Sequence, residues 1–318
     1  TVIRSSSSSS EWSAISSVQR EAEQHLGRPW TRMAPTIGAI KNTFANKTDD
    51  SRYDGTFVTT YRANFDKAGI TDPVYNANFM QVQPSDAIVT FLNNDPENQL
   101  TYPDGQGHSN IGAAEVPGRS DFVIAPSGIS RVVYPGLWKL GTYRTDNNGG
   151  LGSPNGASTR PYNIAKFSEL YFIAAEAAVK GASTTSGKSA RELINVIRAR
   201  AGKWTWDNNG NVAKVEDHSA EMTSATPENI TIDYILAERS REYFGEGYRW
   251  FDLVRTQKWA ELAGSYEICG SNYGDHTPKS FTRNIDNHLY LRPIPQGQID
   301  GMEMSDADKA AYQNPGYN

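Results

Sequence analysis

The stretch Ala182-Ser-Thr-Thr-Ser-Gly-Lys-Ser189 comes nearest to a catalytic motif, following the phosphate-binding Walker A pattern with alanine in place of its first glycine. Such a loop works when a strand feeds backbone N–H groups that cradle phosphate at the start of the next helix, with lysine supplying charge. Here the preceding element reads as a helix ending at Lys180, so a polar hairpin loop is the expected structure. His25, His108, His218, His276 and His288 are scattered, with no second His at the helical spacing of a metal site, so no metal is expected. Asp49, Asp50 and Asp54 crowd one turn, and Asp207-Asn-Asn-Gly-Asn211 offers further oxygens. Neither completes a calcium loop, and both read as solvated turns. There is no Gly-x-Ser-x-Gly elbow, and Cys269 has no local catalytic signature. Two glycosidase carboxylates on separate loops would leave no local spacing, so a glycoside hydrolase stays open as the alternative to a non-enzymatic binding protein.

The densest charge pattern, Glu238-Arg-Ser-Arg-Glu242 with Glu246, Arg249, Asp252 and Arg255, suits ion pairs that brace helices. Aromatic residues carry the remaining functional signal, because the apolar face of a sugar ring stacks on Trp or Tyr while its hydroxyls seek polar side chains. Trp12, Trp30, Tyr61, Tyr75, Tyr102 and Trp138 fall in loop-rich sequence and are the candidate ligand-binding residues. Trp250 and Trp259 sit on helical spacing and read as core, whereas Trp204 and Trp206 lie in a surface strand or turn of unassigned role.

The elements that must hold these residues change character along the chain. Residues 1–156 are dense in Gly, Pro, Asn and Asp, with short strand-like pieces such as Phe57–Tyr61 and Ala87–Phe91. Thr1-Val-Ile-Arg4 resembles the end of a strand, and Ser5–Ser10 is a polar loop. Residues 157–318 shift to helical periodicity, and the two parts are expected to form one continuous structural domain. A helix over Tyr162–Lys180 would bury Ile164, Phe167, Leu170, Tyr171, Ala174 and Ala178, and its hairpin partner runs over Ser189–Ala201. A second hairpin is expected to start at Thr226-Pro227, with Ile232, Ile235, Leu236, Arg239 and Tyr243 on one face, and to return over Tyr248–Ala263. After Gly264 the chain reads as loop.

Composition narrows the function classes. A net charge of −5 in 318 residues offers no basic footprint for nucleic acid. Hydrophobic residues make up only 37%, while 16 Tyr and 7 Trp supply stacking surface. No stretch approaches the ~18 apolar residues that span a bilayer, and the chain is read as soluble.

Five collinear segments resemble the SusD/RagB family. They are Asp50-Ser-Arg-Tyr-Asp-Gly-Thr-Phe57, Ser168–Glu176, Glu192–Gly202, Ile235–Arg255, and the ending Pro293-Ile-Pro295 with Gln313-Asn-Pro-Gly-Tyr317. The resemblance implies a mainly α fold of tetratricopeptide-like hairpins with extensive irregular loops and a few short strands. It also implies a cell-surface protein, lipid-anchored on the extracellular face of the outer membrane, that captures glycan without chemistry or cofactor. The captured nutrient would pass to a SusC-like TonB-dependent transporter. On this reading the chain corresponds to the C-terminal two thirds of such a protein, with the N-terminal helices and anchor upstream. The ligand's identity, glycan or peptide, is not written in the sequence.

Overall fold

The computed structural model describes residues 34–63, 65–68, 70–75, 81–96, 122–129, 134–139, 163–183, 185–208, 212–269 and 277–317. The opening segment, Trp12, Trp30 and Tyr102 lie outside the described residues. The chain divides into two compact units, one running through Glu246 and taking in Glu267–Lys279, the other formed by Gly247–Tyr266 and Ser280–Asn318. The sequence changes organisation near residue 156, whereas the compact units part at Gly247.

The first unit starts with a π-helical turn, Ala39–Thr43, and the short helix α1 (Arg52–Thr56). Short strands follow: β1 (Phe57–Val58), β2 (Thr60–Arg62), β3 (Val74–Tyr75), β4 (Gln81–Val82), β5 (Ala87–Phe91), β6 (Phe122–Ile124) and β7 (Gly136–Leu137). β5 lies between antiparallel β2 and parallel β6, β3 pairs with β4, and β1 pairs with β7 through Phe57↔Leu137 and Val58↔Gly136. Their inward side chains close over a core in which Phe44, Tyr53, Phe57 and Phe244 meet with ring centroids 5.3–5.7 Å apart. Offset and edge-on contacts of this kind add to the burial of the rings themselves. Strands this short gain little from their ladders, so the aromatic core sets their positions.

A helical hairpin follows, α2 (Phe167–Val179) and α3 (Ala190–Ala201). The Walker-like segment is the link between them. Ser189 caps α3 by accepting from the Glu192 N–H, and Glu192 returns the bond to the Ser189 N–H, a reciprocal capping box. The residues buried on α2 are Ser168, Phe172, Ala175 and Glu176, whereas Phe167 and Leu170 are 72% and 57% exposed. Of the expected inward face, Ile164, Phe167 and Leu170 are exposed, while Tyr171, Ala174 and Ala178 are half-buried. Apolar residues surround α2 almost completely, so its periodicity does not choose a face. Polar contacts settle the choice, for the Ser168 and Tyr243 hydroxyls meet at 2.8 Å inside.

After α3 come the ribbon β8 (Lys203–Asp207) and β9 (Val212–Asp217), then α4 (Ser219–Ser224) and α5 (Ile232–Glu242). α5 starts at Thr231, whose side chain accepts from the Tyr234 N–H, five residues beyond the expected Thr226. Thr226 is buried, with its hydroxyl 2.6 Å from the Asn195 side chain, and serves as a tie to α3. On α5, Ile235, Leu236, Arg239 and the following Tyr243 point inward, matching the expected face, and so do Glu238 and Glu242. Glu238 is fully enclosed and meets Arg52 (2.5 Å), Arg241 (2.7 Å) and Arg198 (2.9 Å), while Arg52 also grips Asp50 through two bonds. Burial pushes the Glu238 carboxyl up, but the three guanidiniums outweigh it and hold it far below the usual range. The charge-rich sequence therefore braces the fold, though mainly across elements.

In the second unit the expected single helix is two, α6 (Tyr248–Arg255) and α7 (Trp259–Ala263), separated by Gln257 with φ +57°. Trp259 is buried, but Trp250 is 41% exposed and does not belong to the core. The sequence after Gly264, expected as loop, contains strands β10 (Ser265–Cys269) and β11 (Pro278–Thr282) and helices α8 (Gln296–Asp300) and α9 (Asp306–Tyr312). The two tail motifs clasp each other: the Gln313 amide pairs with both backbone groups of Ile294, and the Tyr317 hydroxyl donates to the Leu291 carbonyl. Gly316 (φ +88°) permits this turn, and a Cβ there would sit 2.5 Å from His288. No helix among the described residues is long and apolar enough to cross a membrane.

Candidate ligand-binding site

The short run Asp54–Phe57 is the keel on which a recess is built. Behind it, the N–H and hydroxyl of Ser51 both donate to the carbonyl of Ala201, fixing α1 against the end of α3. On one side, the N–H of Trp138 donates to the Thr56 carbonyl (2.8 Å), continuing the β1–β7 pairing and setting Trp138 beside α1. On the other, Asn208 at the end of β8 gives its N–H to the Asp54 carboxylate (2.8 Å), and its side-chain amide donates to the carbonyls of Asp54 (2.6 Å) and Phe57 (2.8 Å). Both Asn208 side-chain protons are therefore used in clamping the ribbon to the keel.

The clamp and keel frame a recess of about 300 Å³ lined by Trp138, Trp206, Asp54, Asn208 and Thr205, with Ser51, Gly55 and Lys203 completing it. Successive residues of a regular strand face opposite sides, yet Thr205 and Trp206 both reach the recess. The ladder is irregular at this point: Trp204 pairs with Glu216 but Trp206 with Ala213, which places the extra residue on β9. Trp204 is buried, its indole N–H donating to the Asp49 carbonyl, whereas Trp206 and Trp138 remain 45% and 39% exposed. Burial, with Asp207 nearby, raises the Asp54 carboxyl to about 6 against the opposing Asn208 N–H and Lys214. The result is two aromatic surfaces, a hydroxyl, a lysine and a carboxyl that changes charge near neutrality.

Of the candidate aromatics whose side chains are described, Trp138 lies on this recess and Tyr61 does not. Tyr61 is enclosed in the first core, 6.2 Å from the Phe91 ring, with its hydroxyl under Gly136. Tyr75 lies in β3, and its side chain is outside the described residues, as are Trp12, Trp30 and Tyr102. Trp206, Asp54 and Asn208 are not among the sequence candidates because they look like parts of a strand and of solvated turns. The available signal was the pair of tryptophans on β8 followed by an Asn-rich turn. His218 sits between the distant Asp49 carboxylate at 3.1 Å and the neighbouring Glu216 at 2.9 Å, yet no group of three ligands fit for a metal occurs among the described residues.

The model of the SusD family matches residues 135–317, more than half of the chain. The chain belongs to the SusD family. The SusD-like protein P38 of Formosa agariphila is 33% identical to it over 101 residues, which is 32% of this chain and 18% of that protein. A crystal structure of a SusD-like protein from Bacteroides fragilis aligns with 94% of this chain and 44% of its own, at 18% identity and a TM-score of 0.38. The chain thus spans less than half the length of these relatives. Membership accords with the mainly α body, its irregular loops and its few short strands. Within this SusD-family chain, Trp138 and the β8 wall fall inside the matched residues, whereas the keel precedes them.

Proposed function

We propose that this SusD-family chain is the glycan-holding part of a cell-surface nutrient-capture protein, and that the recess between Trp138 and Trp206 is a ligand site. The supporting observation is the placement of two half-exposed indoles, from separate segments, around a polar floor containing Asp54 and Thr205. Indoles offer flat apolar area to a sugar's C–H face, and the carboxyl and hydroxyl offer partners to its hydroxyls. The volume is at the lower end of small-molecule pockets, ~300–1,000 Å³, and suits a short stretch of glycan. On this reading the whole protein is lipid-anchored at the outer face of the outer membrane and hands its ligand to a SusC-like TonB-dependent barrel without altering it.

Calorimetry against a panel of host and plant oligosaccharides, run beside an assay for released reducing ends, tests the reading. Saturable binding with no new ends is expected. Trp206→Ala and Trp138→Ala should each weaken binding about tenfold or more, the scale of ~1.4 kcal/mol, while leaving the melting temperature nearly unchanged. New reducing ends, or binding indifferent to both substitutions, would count against it.

A further inference from the structure

A glycine inside a helix costs about 1 kcal/mol relative to alanine and is kept where it has a reason. Gly55 is the fourth residue of α1, and its backbone is ordinary there, with its N–H bonded to the Ser51 carbonyl and φ outside the left-handed region. Backbone conformation therefore does not demand glycine.

Packing does not demand it either. A Cβ built on Gly55 meets no atom within 4 Å among the described residues, whereas the same construction at Gly136, Gly202 and Gly264 strikes neighbours at 2.3–2.7 Å. Those three glycines are explained by crowding inside the protein. Gly297, in α8, is equally open, but of these two Gly55 is the one that lines the recess, alongside Trp138, Trp206 and Asp54.

A bare backbone lining a recess leaves room for close approach by a ligand. We infer that Gly55 is a specificity-determining position of the recess, where a neutral sugar unit rests directly on the α1 backbone between the two tryptophans. This rests on the reading of the recess as a glycan site and adds where the ring sits and which residue admits it. A Cβ at position 55 would project into open space with no described atom within 4 Å, and a longer side chain would extend into the volume that the ring needs. The flanking residues give the ring its polar contacts: the Asp54 carboxylate has one oxygen taken by the Asn208 N–H, and the Asn208 side-chain oxygen is not used in the clamp.

The test uses the full chain with maltohexaose, cellohexaose, xylohexaose and mannohexaose as probes, and compares the parent with Gly55→Ala, Gly55→Leu and Trp206→Ala. Gly55→Ala should melt at or above the parent temperature, since it removes a helix-weakening residue and meets no clash. Gly55→Leu should keep the parent melting temperature and circular dichroism, yet bind the preferred probe at least about tenfold more weakly. Gly55→Ala should fall between the two in affinity. If Trp206→Ala weakens binding while Gly55→Leu binds like the parent, the assignment of Gly55 is overturned and the recess stands. Indifference of binding to all three variants, or no binding of any probe by the parent, overturns the recess reading and this inference with it. A large loss of melting temperature in Gly55→Leu shows that the space is not free, which also overturns the assignment.

Discussion

Asp54 couples the recess to pH through a single carboxyl. Its pKa is raised by burial from an ordinary 3.8 to about 6, so between those values the folded chain holds a proton that the unfolded chain has released. The stability tied to this group is full below the unfolded value and is lost as pH rises through 6. Asp54→Asn cannot titrate and keeps an oxygen for the Asn208 N–H. It should therefore be more stable than the parent at pH 8, by ~1–2 kcal/mol after allowing for partial solvent access, and lose that advantage at pH 4. Urea denaturation at the two pH values measures this directly. His218 behaves in the same sense from the basic side. Glu216 and Asp49 favour its imidazolium and raise its pKa above 6.5. Its contribution is complete below the unfolded value and fades as pH climbs through the folded one. His218→Gln should flatten the fall in melting temperature across neutral pH, and an unchanged slope would show that the two carboxylates do not act on the ring.

At the scale of elements, the brace around Glu238 holds α1, α3 and α5 together. Removing that carboxylate leaves Arg52, Arg198 and Arg241 enclosed without their shared partner. Glu238→Ala should cost ~3–5 kcal/mol, read as a lowered urea midpoint at unchanged slope. The elements themselves were partly legible beforehand. The α2–α3 hairpin and the inward face of α5 follow from helical spacing and from stop residues such as Gly245, which adopts φ +76°. What escaped has physical causes. The orientation of α2 depends on the polar contact between Ser168 and Tyr243, and a nearly all-apolar helix carries no trace of that choice in its own spacing. The brace was expected along the helix, but its Arg52 partner lies 186 positions away, beyond any local pattern. Trp206 lines the recess together with its neighbour Thr205, which alternation of side chains along a strand cannot forecast.

For the molecule as a whole, the recess is a property of chain closure. Trp138 could be singled out alone, but its site needs α1 in front and the β8 ribbon behind, three segments that only the folded chain makes neighbours. Ser51 reaches Ala201 across 150 positions, and Asn208 reaches Asp54 across 154. Contacts so distant in sequence form late, because ordering the intervening chain comes before any of their benefit. On the proposed reading, ligand affinity acts as a clock for maturation: helical signal is expected to return first in a refolding experiment, and binding of the glycan probe last. A nascent chain that has emerged only as far as Gly202 already carries Trp138 and its keel, yet it has no opposing wall and no recess.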